Sequence, residues 1–151
     1  SFAKDSIEGS EQRIAPSQLI TLVGALYHGQ SAAVSLWDSQ PIGTPVDLTA
    51  LGLDAADRAT ARKLLATPFG PGGTLAVYAK GATASGCALD LGKSGTAAQG
   101  VTNHERGVVV VHRCGDRLLA TFALVAHSDG TPITQRDLAP LHKAAVEAVI
   151  D

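Results

Sequence analysis

The sequence predicts an α+β domain in which an antiparallel β-sheet is flanked by helices. The strongest observation is residues 107–127, where two apolar, β-rich runs are separated by the turn residues Gly115 and Asp116, a pattern typical of a β-hairpin. A second observation is the order of the patterns along the chain: helix, strand, irregular segment, helix, two strands, long loop, hairpin and helix. That order is typical of an α+β fold rather than of repeated βαβ units.

The hairpin turn also predicts a strand register. It pairs Cys114 with Arg117, His112 with Leu119, and Val110 with Thr121. One face then carries apolar residues throughout and is expected to be a core face: Val109, Val111, Leu118, Ala120, Phe122 and Leu124. The other face is also mostly apolar: Val108, Val110, His112, Cys114, Leu119, Val125 and His127. A sheet that is apolar on both sides is usually covered on both sides.

Composition excludes several classes of partner. Charged residues make up 17% of the 151 residues, below the roughly 25% usual for soluble domains. The net charge is −2 and no stripe of Lys and Arg occurs, so we expect no nucleic-acid partner. No apolar run approaches the ~18 residues of a membrane span, so we expect no membrane insertion by this segment. The five histidines show no metal-ligand spacing, and we expect neither a metal nor a cofactor.

The cysteines and the absence of Met bear on context. Because the chain contains no Met, we expect it to be either a segment of a longer protein or a mature processed product, from which any anchor or partner domain has been removed. Cys87 and Cys114 each lie at the end of a predicted strand, which makes them a candidate disulfide in an exported protein and two buried thiols in the cytosol. Low charge and abundant Gly, Ser and Thr favour an extracytoplasmic location in the cell envelope, with the cytoplasm as the alternative.

The first part of the chain predicts a tail and a helix. Residues 1–13 are polar with little to bury, so they are interpreted as a flexible tail or linker remnant. The domain is then residues 14–151. A helical pattern opens at Pro16 and stops at Gly29.

Strand and helix patterns continue up to the middle of the chain. Residues 31–37 alternate as a strand, and residues 42–50 are interpreted as a loop with a short edge strand near Val46. Asp54 is a predicted helix N-cap, and the helix is expected to continue through Leu65.

The middle of the chain predicts two strands and a long connection. Residues 74–80 are interpreted as a strand, and residues 87–91 as the strand that returns beside it. Residues 92–106 are rich in Gly, Ser and Thr without an apolar pattern, so they are interpreted as a long loop, either mobile or functional.

The C-terminal segment predicts a helix. Thr134 and Asp137 have the spacing of a capping box, with Asp in place of the usual Glu. Pro140 is expected in or near the first turn. The predicted buried stripe is Leu138, Leu141, Ala145, Val146 and Val149.

Two passages of the chain resemble GAF domains. Residues 115–124 and 132–141 are similar to the end of that family. There, a last hairpin leads through a short Pro-containing loop into a helix that opens with an aromatic or aliphatic residue, Thr, two variable positions, an acid and Leu. Residues 22–27 and 32–38 resemble its first helix and strand. The resemblance implies a GAF- or profilin-like architecture and a sensory role.

One dense polar cluster stands out at the end of the predicted loop. Asn103, His104, Glu105 and Arg106 are residue types that bind anions or act as acid and base. Together with His112 on the hairpin, they are the candidate ligand-binding residues. No arrangement of catalytic residues is assigned.

Two functions follow from these observations. The first is a non-catalytic sensory or interaction domain of a larger, membrane-anchored or soluble protein, holding a small molecule or a protein partner against its sheet. The alternative is a small enzyme that uses the cluster at residues 103–106. A homodimer is compatible with either function.

Overall fold

The computed structural model describes residues 15–32, 43–99, 103–127 and 134–150, and the predicted tail at residues 1–13 lies outside these ranges. The elements form a mixed α+β fold, as predicted, and the strands are arranged in two antiparallel sheets. Contacts divide the chain into two compact units, residues 1–58 and 59–151.

The first unit contains a helix and a two-stranded sheet. Its elements are helix α1 (Pro16–His28), strand β1 (Gln30–Ser31) and strand β2 (Val46–Asp47). As predicted, α1 ends at Gly29, whose φ of 87° is unfavourable for residues with a Cβ and whose N–H donates to the carbonyl of Ala25 at 2.8 Å. The strands β1 and β2 pair antiparallel. Of the strand predicted at residues 31–37, only positions 31 and 32 lie within the described residues.

Helix α2 (Ala55–Ala66) begins where the sequence predicts. The carboxylate of Asp54 accepts hydrogen bonds from the N–H groups of Ala56 at 2.7 Å and Asp57 at 2.9 Å. These bonds lower the pKa of Asp54. The side chain therefore satisfies two backbone donors that the first turn of any helix leaves without a partner.

The second unit holds the larger sheet. Its elements are a 3-10 turn (Thr67–Phe69), helix α3 (Ala76–Ala82), strands β3 (Ala88–Gln99), β4 (Asn103–Cys114) and β5 (Arg117–His127), and helix α4 (Gln135–Ile150). The strands form an antiparallel sheet in the order β3-β4-β5. Helices α3 and α4 pack on one face of this sheet, where a buried core cluster contains Leu75, Tyr78, Ala82, Val108, Val110, Leu138 and Ala139.

The hairpin between β4 and β5 has the predicted register. Cys114 pairs with Arg117 across the turn, and Gly115 has a φ of 63°, which a tight turn requires. The helices of this unit, however, cover the face that carries Val108, not the face first named as a core face. On the face first named, Val109 and Val111 are buried as predicted, whereas Leu124 is 55% exposed. Because both faces are apolar in sequence, the pattern alone does not decide which one the helices cover.

Two predictions for the middle of the chain are wrong. The segment predicted as a strand at residues 74–80 forms α3 instead. It does so because Leu75, Tyr78 and Ala82, which are three and four residues apart, share one helical face and bury it in the core.

The loop predicted at residues 92–106 is also wrong, because β3 and β4 pair through most of it. Gly92 lies within β3 where the ring of Phe69 packs against the strand. A Cβ at this position would overlap that ring and lie 3.1 Å from Cδ1 of Leu75. Gly92 is thus a point of close approach rather than a strand breaker.

Helix α4 has the predicted cap. The N–H of Thr134 donates to the Asp137 carboxylate at 2.7 Å, and the Thr134 hydroxyl donates to the same oxygen at 3.0 Å. These bonds lower the pKa of Asp137. Pro140 lies inside the helix, beyond its first turn, so the helix lacks the bond that residue 140 would donate to the carbonyl of Arg136.

The buried stripe of α4 differs from the predicted one. Leu138 and Val146 are buried as predicted, and Ala139 and His142 are buried beside them, whereas Leu141, Ala145 and Val149 are exposed. The observed stripe is rotated around the helix relative to the predicted one, so that His142 is buried in place of Leu141 and Val149. The prediction counted only apolar residues, so it omitted His142 and included Leu141, Ala145 and Val149.

Cys87 and Cys114 form the candidate disulfide, with 4.3 Å between their Cα atoms. The bond joins the residue before β3 to the last residue of β4. Closing a separation of 27 residues stabilises the fold by about 3.5 kcal/mol on the chain-entropy model. None of the helices in the described ranges combines the length and the apolar character that crossing a bilayer requires.

Candidate functional site

The predicted polar cluster at residues 103–106 forms the first four residues of β4. Alternation along the strand puts positions 103 and 105 on one face and positions 104 and 106 on the other. Across the sheet, His104 pairs with His127 of β5. The side chains of residues 103–105 lie outside the described part of the structure, and Arg106 is half-buried. The strand therefore does not bring the four residues to one face.

His112, the remaining candidate, lies in a polar cluster between the sheet and its two helices. It is fully buried on β4, near His142 of α4, whose imidazole in turn contacts Thr121 from β5 and Tyr78 from α3. We call these four residues the histidine cluster. Each element packed at this point contributes one member.

Local sequence periodicity places each member toward the interface. His142 is four residues after Leu138 and four before Val146, so it shares their buried stripe on α4. Tyr78 is three residues after Leu75, on the buried side of α3. Thr121 pairs directly with Val110 across the β4–β5 ladder and so lies on the same face of the sheet.

Two hydrogen bonds hold the imidazole rings. Nε2 of His112 is 2.8 Å from the carbonyl oxygen of Ala82, the last residue of α3. A carbonyl only accepts, so Nε2 carries the proton and Nδ1 of the neutral ring has a free lone pair. Nδ1 of His142 is 2.5 Å from the hydroxyl oxygen of Thr121. That hydroxyl is also 3.5 Å from the carbonyl of Val110, to which it donates.

The aromatic ring of Tyr78 completes the cluster. It stands edge-on to the imidazole of His142, with 5.7 Å between ring centroids and 70° between the ring planes. This is a favourable arrangement for two aromatic rings. The ring is therefore well packed, although its hydroxyl group has no hydrogen-bond partner in the described part of the chain.

Three polar atoms of the cluster have no hydrogen-bond partner among the described residues. They are Oη of Tyr78, Nδ1 of His112 and Nε2 of His142, and the other such buried side-chain atoms are Nε of Arg58 and Nε of Arg106. Leaving a buried polar group without a partner costs about 1–3 kcal/mol. Native proteins contain few such groups. Three of the five such atoms lie in this one cluster, which makes it the candidate site among the described residues.

Burial keeps the cluster uncharged at neutral pH. Burial, together with a smaller effect of the neighbouring His112, lowers the pKa of His142 to about 4. Burial also lowers the pKa of His112, against the opposing effect of its bond to the carbonyl of Ala82. Burial raises the pKa of the Tyr78 hydroxyl. The cluster therefore offers hydrogen-bond donors and acceptors without carrying a net charge.

Sequence reasoning named only His112 of these four residues. Tyr78 was missed because its segment was predicted as a strand. His142 was missed because the stripe was chosen from apolar residues alone. A usable signal was present, since His142 falls at the i+4 spacing between two apolar residues of its helix.

No metal site accompanies the cluster. Within the described ranges, no group of three or more His, Cys, Asp or Glu side chains is arranged to hold a metal ion. Comparisons with protein-family models, with curated proteins and with solved structures give no match for this chain.

Proposed function

We propose that this chain is a non-catalytic sensory domain of GAF-like type that binds a small, uncharged polar molecule at the histidine cluster. The ligand lies between the sheet and the two helices α3 and α4. It takes the place of the missing partners of Tyr78, His112 and His142.

The observation that carries this proposal is the set of three buried polar atoms without partners in one cluster. Nδ1 of His112 can accept a hydrogen bond, and the Tyr78 hydroxyl can donate or accept one. A ligand with both donors and acceptors satisfies these groups and recovers the free energy that their burial costs. The preference for an uncharged ligand follows from the lowered pKa of both histidines, since a charged ligand would enter the site without a counter-charge.

The enzyme alternative has no comparable support. Its residues, 103–106, alternate between the two faces of β4, whereas acid–base catalysis requires groups that converge on one substrate. The histidine cluster does not supply a substitute, because the Thr121 hydroxyl donates to the carbonyl of Val110 and no described carboxylate is bonded to either imidazole ring.

A ligand screen at pH 7 tests the proposed function. Uncharged amides, alcohols and nitrogen heterocycles are tested for an increase in thermal stability of the protein, and Kd is measured for each hit. Tyr78→Phe removes one hydroxyl from the cluster and is expected to weaken binding about tenfold, which corresponds to 1.4 kcal/mol. Tyr27→Phe, on α1, is the matched control and should leave Kd unchanged.

The resonances of the imidazole rings provide the second measurement. A ligand bound at the cluster is expected to shift the ring signals of His112 and His142 and to leave that of the exposed His28 in place. Binding that leaves both cluster signals unmoved, or that is equally tight in Tyr78→Phe, would contradict the proposed site.

A further inference from the structure

We propose that the histidine cluster is a proton-operated latch, which holds helix α4 on the sheet at neutral pH and releases it under mildly acidic conditions. This inference rests on the geometry of the cluster and does not depend on a ligand. It adds a regulatory property to the proposed sensory role.

Each helix of the second unit is tied to the sheet by one buried imidazole ring. His142 connects α4 to β5 through the hydroxyl of Thr121. His112 connects β4 to α3 through the carbonyl of Ala82. Both connections lie at the interface that must separate if a helix moves away from the sheet.

Protonation of either ring creates a buried, charged N–H group that finds no hydrogen-bond acceptor among the described residues. The second proton on His112 goes to Nδ1, and that on His142 to the nitrogen that Thr121 does not occupy. Neither atom has a partner among the described residues. A buried imidazolium of this kind is strongly disfavoured, and two such rings repel each other, whereas release of α4 exposes His142 to water.

The surroundings supply no compensating negative charge in the described residues. The carboxylates of the neighbouring elements are engaged elsewhere: Asp90 with Arg113, Asp137 with Thr134, and Glu147 with Lys143 and the N–H of Ser85. The Tyr78 hydroxyl stays protonated because burial raises its pKa. The remaining charged side chains described on α3, β4, β5 and α4 are cationic: Lys80, Arg106, Arg117 and Arg136.

The direction of the pH effect follows from linkage. The pKa of His142 is about 4 when α4 is packed and returns toward 6.5 when the ring is exposed. The open state therefore binds more protons between these values, so the latch is closed above pH 6.5 and weakens progressively toward pH 4. Between pH 7 and pH 5 the equilibrium constant for opening of α4 is expected to rise on the order of 20-fold.

Hydrogen exchange of the whole chain at pH 7 and pH 5, corrected for intrinsic exchange rates, tests the latch. Amides of α4 are expected to lose protection by roughly 20-fold, while amides of residues 108–111 in the middle of β4 keep theirs. His142→Asn keeps an amide group near the position of Nδ1 for Thr121 but does not titrate, and should reduce the pH effect below about threefold. His28→Gln removes an exposed histidine and should behave as the wild type.

Three outcomes would overturn the latch. The first is equal loss of protection in α4 and in the middle of β4, and the second is a wild-type pH effect in His142→Asn. If that variant does not fold, a titration of the His142 ring in the wild-type protein decides, since a pKa at or above 6.5 contradicts the latch. Because the ligand screen is performed at pH 7, failure of the latch and failure of ligand binding are separate results.

Discussion

The helix-covered face of the larger sheet has two regions that are equally buried but differ in what their burial contributes. In the apolar region, Val108 packs with Leu75 and Leu138, and removal of their side chains from water stabilises the fold. In the histidine cluster, three polar atoms are removed from water without a partner, which opposes folding. Burial alone therefore does not identify what a residue does. The first region is explained by stability, and the second is the site of the proposed function.

The largest expected effect tests the apolar region. Leu138 is 1% exposed, so Leu138→Ala is expected to lower the free energy of unfolding by about 3 kcal/mol, through lost apolar burial and the cavity left behind. Urea denaturation measures this change in the free energy of unfolding. Leu141→Ala on the same helix is the control, because Leu141 is mostly exposed, and should change stability by less than about 0.5 kcal/mol. Equal losses in the two variants would contradict the observed orientation of α4.

A smaller effect is expected from the one hydroxyl of the cluster that does have partners. Thr121→Val keeps the shape of the side chain but removes the group bonded to Nδ1 of His142. One more ring nitrogen is then left without a partner, which should lower stability by about 1–2 kcal/mol. The measurement is urea denaturation at pH 7. An unchanged or increased stability would show that this hydrogen bond does not hold α4 on the sheet.

Local rules predicted the hairpin and its disulfide. Gly115 and Asp116 specify the turn, and strict alternation on both sides of it fixes every pair of the β4–β5 ladder. The placement of Cys114 at the end of β4 follows from that register. The caps at Asp54 and Thr134 were predicted for the same reason, since each depends on residues no more than three positions away.

The features that the sequence did not predict depend on contacts between residues that are far apart along the chain. The sequence predicts a loop that begins at Gly92, because nothing in the local pattern shows that Phe69 packs against this position of β3. The histidine cluster is harder still, because Tyr78, Thr121 and His142 come from three elements and none of them is unusual in its own segment. Only the fold brings their side chains together, so their shared lack of partners has no counterpart in any local pattern.

The smallest expected effect is also the most direct test of the account. Tyr78→Phe removes only the hydroxyl that has no hydrogen-bond partner and leaves the ring packed against His142. The free energy of unfolding of the ligand-free protein, measured by urea denaturation at pH 7, is expected to increase by about 1 kcal/mol. A decrease of about 1 kcal/mol or more would show that the hydroxyl is already satisfied in the folded protein, and would contradict the claim that the cluster sacrifices stability for binding.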